Sequence, residues 1–537
     1  TSRQTKNLNK LLIRILLHLQ VEFSIYYSVI FSLAFSLFSC SDFLDRESLS
    51  ELSNGNFWNT EADATKALVG CYDALQSEGS LGFCWPGDKT CSLRELEFAT
   101  DNGYFAWIPW VGPDVITNNT MSPTSAVTKA VWNASYTGIA RCNNVIEKVP
   151  QMLEAGKISE EAGTRIVCEA KFIRALFYNH LTSLYRDVPK VFNVLTTETS
   201  QVPKSPKSEI IADIVKDLKD ITAEGMLPVT ADRGRATRGA ALGLLTRVYL
   251  YNEMYKEAAD AAAQVMSLGY IIDPNYSTLF TEAGGASKEI VFAIRFKNTD
   301  QQNGEGGFLA YNYGYPMEWQ LPYPNLANDF YCKDGKPITS SEIYDPNDDS
   351  TRDPRLTYTL MTKNGDTYDG KVSDAWWSWN SPFQLFMRKY QNQPTTWTAD
   401  NQDMYVIRYA DVLLMRAEAL AKQNTGKDEI MSLVNQVRQR ADVMMPKVED
   451  AEGSNLSYDQ LLDVVKHERR VELALEGTRY FDLMRWKEMD KAYERCRADG
   501  GAGSHVFDSS KGYVWPIPQS ELDNNRALVQ APEWGGK

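Results

Sequence analysis

Aromatic side chains are concentrated in polar, turn-rich parts of this sequence, where they could form a binding surface. Residues 300–400 contain 18 of the chain's 61 Phe, Trp and Tyr residues. One run is Trp376-Trp377-Ser378-Trp379-Asn380, and a smaller cluster at residues 104–110 follows Asp101-Asn102-Gly103. Rings in loops are harder to explain as core than rings at helical spacing. The pattern therefore favours contact with a ligand or with a partner protein.

Residues that could carry catalysis form no recognisable motif. Hydrolysis by paired carboxylates needs two opposed acids, and 70 acidic residues guarantee that some pair by chance. The sequence contains no G-x-S-x-G elbow, P-loop or Rossmann fingerprint. Its only histidines are His18, His180, His467 and His505. We predict that the chain is not an enzyme, with a glycoside-acting enzyme as the alternative.

Metal and disulfide patterns are weak. Eight cysteines in 537 residues are too sparse for a disulfide scaffold, and the sequence has no CxxC pair, so neither a zinc site nor a cofactor is expected. Cys84 and Cys91 are close enough for a local bridge, which stays open. Asp345-Pro346-Asn347-Asp348-Asp349 offers oxygen ligands for calcium, but it lacks the EF-hand spacing and glycine. We interpret this segment as a turn.

The elements that must position the aromatic loops are mostly helical. Apolar residues recur at helical spacing in several segments. The predicted helices cover residues 125–149, 159–185, 208–224 and 458–486, with further stripes at 244–249 and 410–421. Short breaks at 252–255 and 424–426 predict helix–turn–helix pairs. Leu245, Tyr249, Ala258 and Ala262 have a spacing similar to that of a tetratricopeptide repeat.

The middle of the chain departs from this helical pattern. Residues 270–405 are rich in loops, and residues 289–296 predict a short strand there. The predicted fold class is therefore mostly α, with stacked tetratricopeptide-like helix pairs, few short strands and an irregular aromatic-rich segment.

The N-terminal residues predict export and a lipid anchor. An uncharged apolar run of 16 residues, 23–38, follows a basic segment and is short for a spanning helix, which needs about 20. Leu37-Phe38-Ser39-Cys40 resembles the lipobox of bacterial lipoproteins, with Phe38 where a small residue is usual. We predict a signal peptide over residues 1–39 and lipidation of Cys40. An ordinary cleaved signal and a retained membrane anchor are the alternatives.

The charge of the chain argues against two classes of partner. The formal net charge is −14, and residues 1–39 carry +3, so the remainder carries −17. Nucleic acid and anionic lipid surfaces both require a basic protein surface. We therefore predict no nucleic-acid partner and membrane attachment through the lipid alone.

Several motifs, in order along the chain, carry a family resemblance. The longest runs from Glu468 to Trp486 and matches ERRxELxxEGxRxFDLxRW. Residues 184–189 resemble LYGDVP, residues 352–356 resemble RDPRL, and residues 408–419 resemble RYADVLLMYAEA. Trp515-Pro516-Ile517-Pro518 and Asn524-Asn525 resemble a PIP…N ending, with Arg526 where proline is common. The chain resembles the SusD/RagB family of outer-membrane lipoproteins.

The resemblance implies a location, a partner and a cargo. Family members lie on the cell surface above a SusC-type TonB-dependent transporter, bind glycans or in some cases peptides, and help deliver them into the barrel. Ser41-Asp42 and Asp45 follow the lipidated Cys40 as in signals for surface export. We therefore expect an N-terminal region over 40–235 and a C-terminal region over 236–537, with the ligand-binding segment at 270–405. The charged 468–486 segment is expected to be structural, with buried ion pairs.

The resemblance also implies where a ligand binds, because the family site is built from the loop after the first helices and from the irregular middle. Sugar rings have apolar faces and hydroxyl edges, so recognition needs flat aromatic platforms with amide or carboxylate partners. The predicted stacking platforms are Trp107, Trp110, Trp319 and Trp377, and the predicted hydrogen-bonding partners are Asp101, Asn102 and Asn312. Tyr104, Tyr313, Trp376 and Trp379 complete the candidate set. A peptide-binding importer subunit and a protein-interaction scaffold are the alternatives.

Overall fold

The described part of the chain folds mainly into α-helices joined by short turns. The computed structural model describes residues 57–82, 89–106, 112–297, 320–364, 381–390, 401–501 and 505–536. In the first half the helices are α1 Glu61–Asp73, α2 Asp114–Thr117, α3 Ala126–Glu154, α4 Glu160–Leu184, α5 Lys207–Thr222, α6 Arg238–Tyr251, α7 Tyr255–Met266 and α8 Tyr276–Leu279. In the second half they are α9 Pro324–Asp329, α10 Arg355–Thr359, α11 Tyr409–Lys422, α12 Lys427–Arg438, α13 Val448–Ala451, α14 Tyr458–Glu472, α15 Arg479–Trp486, α16 Met489–Ala498 and α17 Gln519–Asn524.

The strands are short and form antiparallel pairs. They are β1 Gly103–Phe105, β2 Val188–Pro189, β3 Lys204–Ser205, β4 Ile290–Ile294, β5 Gln320–Pro322, β6 Leu360–Thr362, β7 Leu385–Met387 and β8 Met404–Arg408. β1 pairs with β5, β2 with β3, β4 with β8, and β6 with β7. The strand predicted at residues 289–296 is confirmed as β4.

Successive helices pack against each other, as a stacked-pair architecture requires. The α3–α4 and α6–α7 pairs are joined by packing of α4 on α5 and α5 on α6, and α7 packs on α11, which contacts α12 and α14. The predicted breaks at 252–255 and 424–426 separate α6 from α7 and α11 from α12. Ala258 and Ala262 are fully buried on α7. The predicted fold class is confirmed.

Residues Thr60–Lys537 form one compact unit. The proposed division of the chain at residue 235 stays a prediction. None of the described helices is long and apolar enough to cross a membrane.

The segment predicted as one helix over 458–486 is two helices, and this prediction was wrong. α14 begins at a capping box in which Ser457 and Gln460 exchange backbone and side-chain hydrogen bonds. It ends at Glu472, and α15 starts at Arg479 after a turn in which Gly477 has a φ of +82°. A Cβ at Gly477 would lie 2.8 Å from Arg94 Cα, so glycine is required there on two grounds.

The predicted structural role of the charged segment is confirmed by a buried ion-pair cluster around α14. Glu472 contacts Arg408 and Arg440 at 2.7 Å and Arg355 at 2.9 Å, and all four side chains are buried. Burial raises the pKa of Glu472, but the charges of Arg440, Arg408 and Arg355 outweigh it, so this pKa lies well below its usual range. The cluster connects α14 to the middle segment and to α11.

Other residues of the segment bind neighbouring helices. Arg469 contacts Asp411 at 2.9 Å and Asp482 at 3.1 Å, which links α14, α11 and α15. Trp486 Nε1 donates a hydrogen bond to Glu418 Oε1 at 2.8 Å.

The cysteines and the acidic turn carry no assigned site in the described residues. Cys71, Cys91, Cys142, Cys168, Cys332 and Cys496 are buried free thiols, while Cys84 lies outside the described residues. Asp345 Oδ1 accepts a hydrogen bond from Asn347 N at 2.8 Å, and Asp348 Oδ1 accepts one from Ser350 N at 2.8 Å, as in a turn. No group of His, Cys, Asp and Glu among the described residues could hold a metal ion.

Candidate ligand-binding site

Two of the predicted binding loops have their ends in the same small sheet. β1 and β5 are antiparallel, with Tyr104 opposite Leu321 and Phe105 opposite Gln320. Trp107 follows Phe105 by two residues, and Trp319 directly precedes Gln320. Residues 107–111 and 298–319 lie outside the described residues, so Trp107, Trp110, Asn312, Tyr313 and Trp319 do as well. The sheet therefore holds the ends of both loops side by side.

A glycine makes the close approach of these strands possible. A Cβ at Gly103 would lie 2.6 Å from the carbonyl oxygen of Leu321 and 2.8 Å from the ring of Phe98. The sequence Asp101-Asn102-Gly103 thus combines two polar anchors with the one residue that fits against β5.

The third aromatic segment ends at the same place. Trp376, Trp377 and Trp379 lie in residues 365–380, outside the described residues. Three residues beyond that segment, the Phe383 ring lies 5.9 Å from that of Tyr104 and 6.0 Å from that of Tyr323. We name Tyr104, Phe105, Gln320, Tyr323 and Phe383 the loop platform, because all three loops begin or end beside these residues.

Tyr104 lies at the centre of the loop platform. Its ring centroid is 4.9 Å from that of Tyr323, and its side chain is buried. The hydroxyl is buried and has no hydrogen-bond partner among the described residues. Burial raises the pKa of this phenol well above its usual value. Its predicted contact with a ligand stays a prediction.

Asp101 is held by three arginines. Its carboxylate accepts hydrogen bonds from Arg479 at 2.9 and 3.0 Å and from Arg495 Nε at 2.7 Å, and Arg470 Nη2 lies 3.1 Å away. Burial raises the pKa of Asp101, but the charges of Arg470, Arg479 and Arg495 outweigh it, so the pKa falls far below its usual range. The structure thus gives this carboxylate a structural role, and its predicted ligand contact stays untested.

Asn102 is also engaged inside the protein. Its Oδ1 accepts a hydrogen bond from Arg470 Nε at 3.0 Å, and its Nδ2 donates one to Glu97 Oε1 at 2.6 Å. Glu97 in turn accepts the backbone N–H groups of Leu475, Gly477 and Arg479 at 2.9, 3.1 and 3.2 Å. The turn between α14 and α15 therefore fixes the start of β1.

The predicted site residues included only Tyr104 of the loop platform and missed Phe105 and Gln320, as well as Tyr323 and Phe383. The last two follow the predicted aromatic segments closely, Tyr323 in Pro322-Tyr323-Pro324 and Phe383 in Ser381-Pro382-Phe383. This proximity was the available signal. Tyr323 also bonds through its hydroxyl to His505 Nε2 at 3.0 Å, which connects the platform to the C-terminal residues.

Comparison with known proteins identifies the class that this helical scaffold represents. One family model, described as the SusD family, matches residues 288–534. A second, described as starch-binding and associating with the outer membrane, matches residues 42–250. Together the two models match most of the chain, which therefore belongs to the SusD family.

Individual relatives agree with this assignment. SusD-like protein P2 of Formosa agariphila is 26% identical over 525 residues, covering 92% of this chain and 96% of that protein. The starch-binding protein SusD of Bacteroides thetaiotaomicron is 25% identical over 504 residues, covering 85% and 86%. A crystal structure of a SusD-like carbohydrate-binding protein from Bacteroides fragilis matches with a TM-score of 0.76 and 28% identity, covering 88% and 99%.

Proposed function

We propose that this protein is a lipid-anchored, cell-surface glycan-binding protein that delivers its ligand to a SusC-type TonB-dependent transporter. The observation that carries the binding part of the proposal is the loop platform. Three segments of the chain that are rich in aromatic residues begin or end beside Tyr104, although up to 279 residues separate Tyr104 from Phe383 in sequence.

The chemistry of the three segments fits a sugar ligand. A pyranose ring presents an apolar C–H face to an aromatic ring, and its hydroxyls need hydrogen-bonding groups at the edge of that ring. Trp107, Trp110, Trp319 and Trp377 are the proposed stacking platforms. Asn312 is the proposed hydrogen-bonding partner, because Asp101 and Asn102 are already engaged with arginines.

The relatives suggest which ligand to test first. The Bacteroides thetaiotaomicron relative is described as starch-binding, and one of the family models carries the same description. An α-glucan is therefore the first glycan class to examine, with other neutral polysaccharides as the comparison set.

The anchor and the transporter complete the proposal. The lipid on Cys40 would hold the helical unit at the outer membrane, and the loops would then present bound glycan to the transporter. Catalysis has no part in this scheme, so the bound glycan is expected to leave unchanged.

A glycan array with the chain from residue 41 onward tests the proposal. We expect binding to a restricted set of oligosaccharides of at least two sugar rings, and no new reducing ends after prolonged incubation. Binding of peptides and of no glycan would replace the proposal with a peptide-importer function. Release of shorter sugars would show an enzyme instead.

A further inference from the structure

A concave site among the helices shares no lining residue with the loop platform. It is a cavity of about 490 Å³ between the C-terminal ends of α4, α6 and α11, the start of α5, and α15. Its cationic side chains are Arg186, Lys207, Lys422, Lys466, Arg485 and Lys487. Its acidic side chains are Glu253 and Glu418. The cavity is thus cationic in a chain of net charge −14, so composition alone does not explain it.

Half of the cations have an acidic partner. Arg485 Nη2 contacts Glu418 Oε2 at 2.6 Å, Lys466 contacts Glu488 at 2.9 Å, and Arg186 Nη2 contacts Glu533 Oε2 at 3.0 Å.

The other three cationic side chains form no ion pair in the described part of the chain. They are Lys207, Lys422 and Lys487. Three amines without a paired carboxylate therefore line the cavity, with Lys207 half-buried and Lys422 and Lys487 exposed. The acids that act on them are Asp187 and Glu253 for Lys207, and Glu253 for Lys487.

The like charges are close enough to affect one another. Burial and the charge of Lys487 both lower the pKa of Lys207. Burial also lowers the pKa of Lys487, and Arg186 adds to this effect. Asp187 opposes the pKa shift of Lys207, and Glu253 opposes the shifts of both lysines, without removing them. An anion placed between these amines would relieve the repulsion and gain their attraction.

The backbone around the cavity is unusual in the same way at three points. Arg186, Glu253 and Lys487 have φ angles of +65°, +61° and +60°, in the left-handed region that glycine normally occupies. Arg186 stands where the LYGDVP pattern has glycine. Each turn thus carries a charged side chain at the cavity in place of the residue that the backbone favours, and strained positions of this kind concentrate at ligand sites.

Aromatic rings lie beside the cations. Lys487 Nζ is 4.1 Å from the centroid of the Tyr513 ring, and Lys466 Nζ is 4.9 Å from that of Trp486. Both rings are half-buried and line the cavity. A flat ring next to an ammonium group matches a ligand that has an apolar face and an attached anion. The cavity volume is within the range of small-molecule sites, about 300–1,000 Å³.

We propose that this cavity binds an anionic saccharide, a sugar that carries a carboxylate or a sulfate group, through Lys207, Lys422 and Lys487. The site goes beyond the proposed function, because it uses none of the residues of the loop platform or its loops. It would give the protein a charge-selective site in addition to the stacking site.

Calorimetric titration of the chain from residue 41 onward tests this proposal, since that chain contains the whole compact unit Thr60–Lys537. The probes are digalacturonate, a sulfated galactose disaccharide, neutral galactobiose and inorganic sulfate. We expect one of the two anionic disaccharides to bind at least tenfold more tightly than galactobiose and inorganic sulfate, with weaker binding as salt is raised.

Two double variants of equal charge change locate the site. Lys207→Gln with Lys487→Gln should weaken binding of that disaccharide at least tenfold. Lys216→Gln with Lys256→Gln, which alters two exposed lysines outside the cavity, should change it less than twofold. Trp107→Ala with Trp319→Ala should also leave it unchanged.

Four results would overturn the proposal. In the first, neither anionic disaccharide binds, and in the second, inorganic sulfate binds as tightly as the disaccharide. In the third, the two double lysine variants lose equal affinity. In the fourth, the tryptophan variant loses binding of the anionic disaccharide. The last result would assign the anionic sugar to the loops instead. Circular dichroism of each variant confirms that the helical fold is retained.

Discussion

Arg479 donates hydrogen bonds to both carboxylate oxygens of Asp101, at 2.9 and 3.0 Å, across 378 residues of sequence. This bidentate pair connects the first residue of α15 to the segment that enters β1. The most recognisable motif of the chain therefore supports the platform from which the aromatic loops extend. The motif thus has a structural role beside the loop platform.

The Asp101 pairing predicts a large loss of stability when the carboxylate is removed. Asp101→Asn leaves Arg470, Arg479 and Arg495 without their shared anion in a buried site. We expect the free energy of unfolding to fall by about 3–5 kcal/mol, measured by urea denaturation. Asp260→Asn is the matched control, because Asp260 pairs with Lys256 on the exposed surface. Equal midpoints for the two variants would contradict the role given to Asp101.

The buried His180 makes the free energy of unfolding depend on pH at values above those at which carboxylates usually titrate. Burial, with a contribution from Arg247, lowers the pKa of His180 to about 3. The unfolded value is about 6.5, so the neutral ring stabilises the fold above that pH, and this stability is lost as the pH falls toward 3.

Unfolding by urea at two pH values tests this effect. Between pH 7 and 5 the parent protein should lose about 2 kcal/mol more than His180→Gln, which cannot titrate. Comparing the parent protein with His180→Gln cancels the contributions of the other titratable groups. Parallel losses in the two proteins would show that His180 does not carry the effect.

Substitution of alanine for two helical glycines should change the free energy of unfolding in opposite directions. A Cβ at Gly138 on α3 would lie 2.1 Å from the Phe177 ring on α4, whereas one at Gly70 on α1 meets nothing within 4 Å. Gly138→Ala should lower the free energy of unfolding by about 1–3 kcal/mol through overpacking. Gly70→Ala should raise it by about 0.5–1 kcal/mol. If thermal melts moved in the same direction, the close α3–α4 contact would be wrong.

Cys40 tests the anchor separately from the binding site. Cys40→Ala removes the thiol that the proposed lipid modifies, so we expect the protein to move from the membrane fraction to the soluble fraction of cells. Ser39→Ala keeps a small residue before the cysteine and is the control. A Cys40→Ala protein that still fractionates with the outer membrane would contradict lipidation as the means of attachment.

The sequence predicted the helical scaffold well because the scaffold depends on local periodicity. The α6–α7 and α11–α12 pairs follow from apolar spacing and short breaks, and the structure confirms both. The split between α14 and α15 was missed because the charged pattern continues on both sides of it. That turn depends on Glu97, which binds three backbone N–H groups 378 to 382 residues away.

The same limit applies to the candidate site. Asp101 next to a tryptophan cluster predicts a ligand contact, which stays a prediction, while its structural role depends on arginine partners too distant in sequence to be inferred. The convergence of the three aromatic segments could not be derived either, since it depends on the Phe105–Gln320 pairing and on the contact of Phe383 with Tyr104. The identity of the stacking residues stays a prediction.

The affinity of the double variant Trp107→Ala and Trp319→Ala for the best array glycan tests the central claim most directly. Trp107 comes two residues after Phe105 and Trp319 directly precedes Gln320 in the sequence, and Phe105 pairs with Gln320, so we expect both rings to contact one bound chain. Stacking is worth about 0.5–1.5 kcal/mol per ring beyond the area it buries, so we predict at least a tenfold loss of affinity by calorimetry. Trp534→Ala, outside the loops, should bind like the parent. An unchanged affinity in the double variant for every glycan that the parent protein binds would contradict the account.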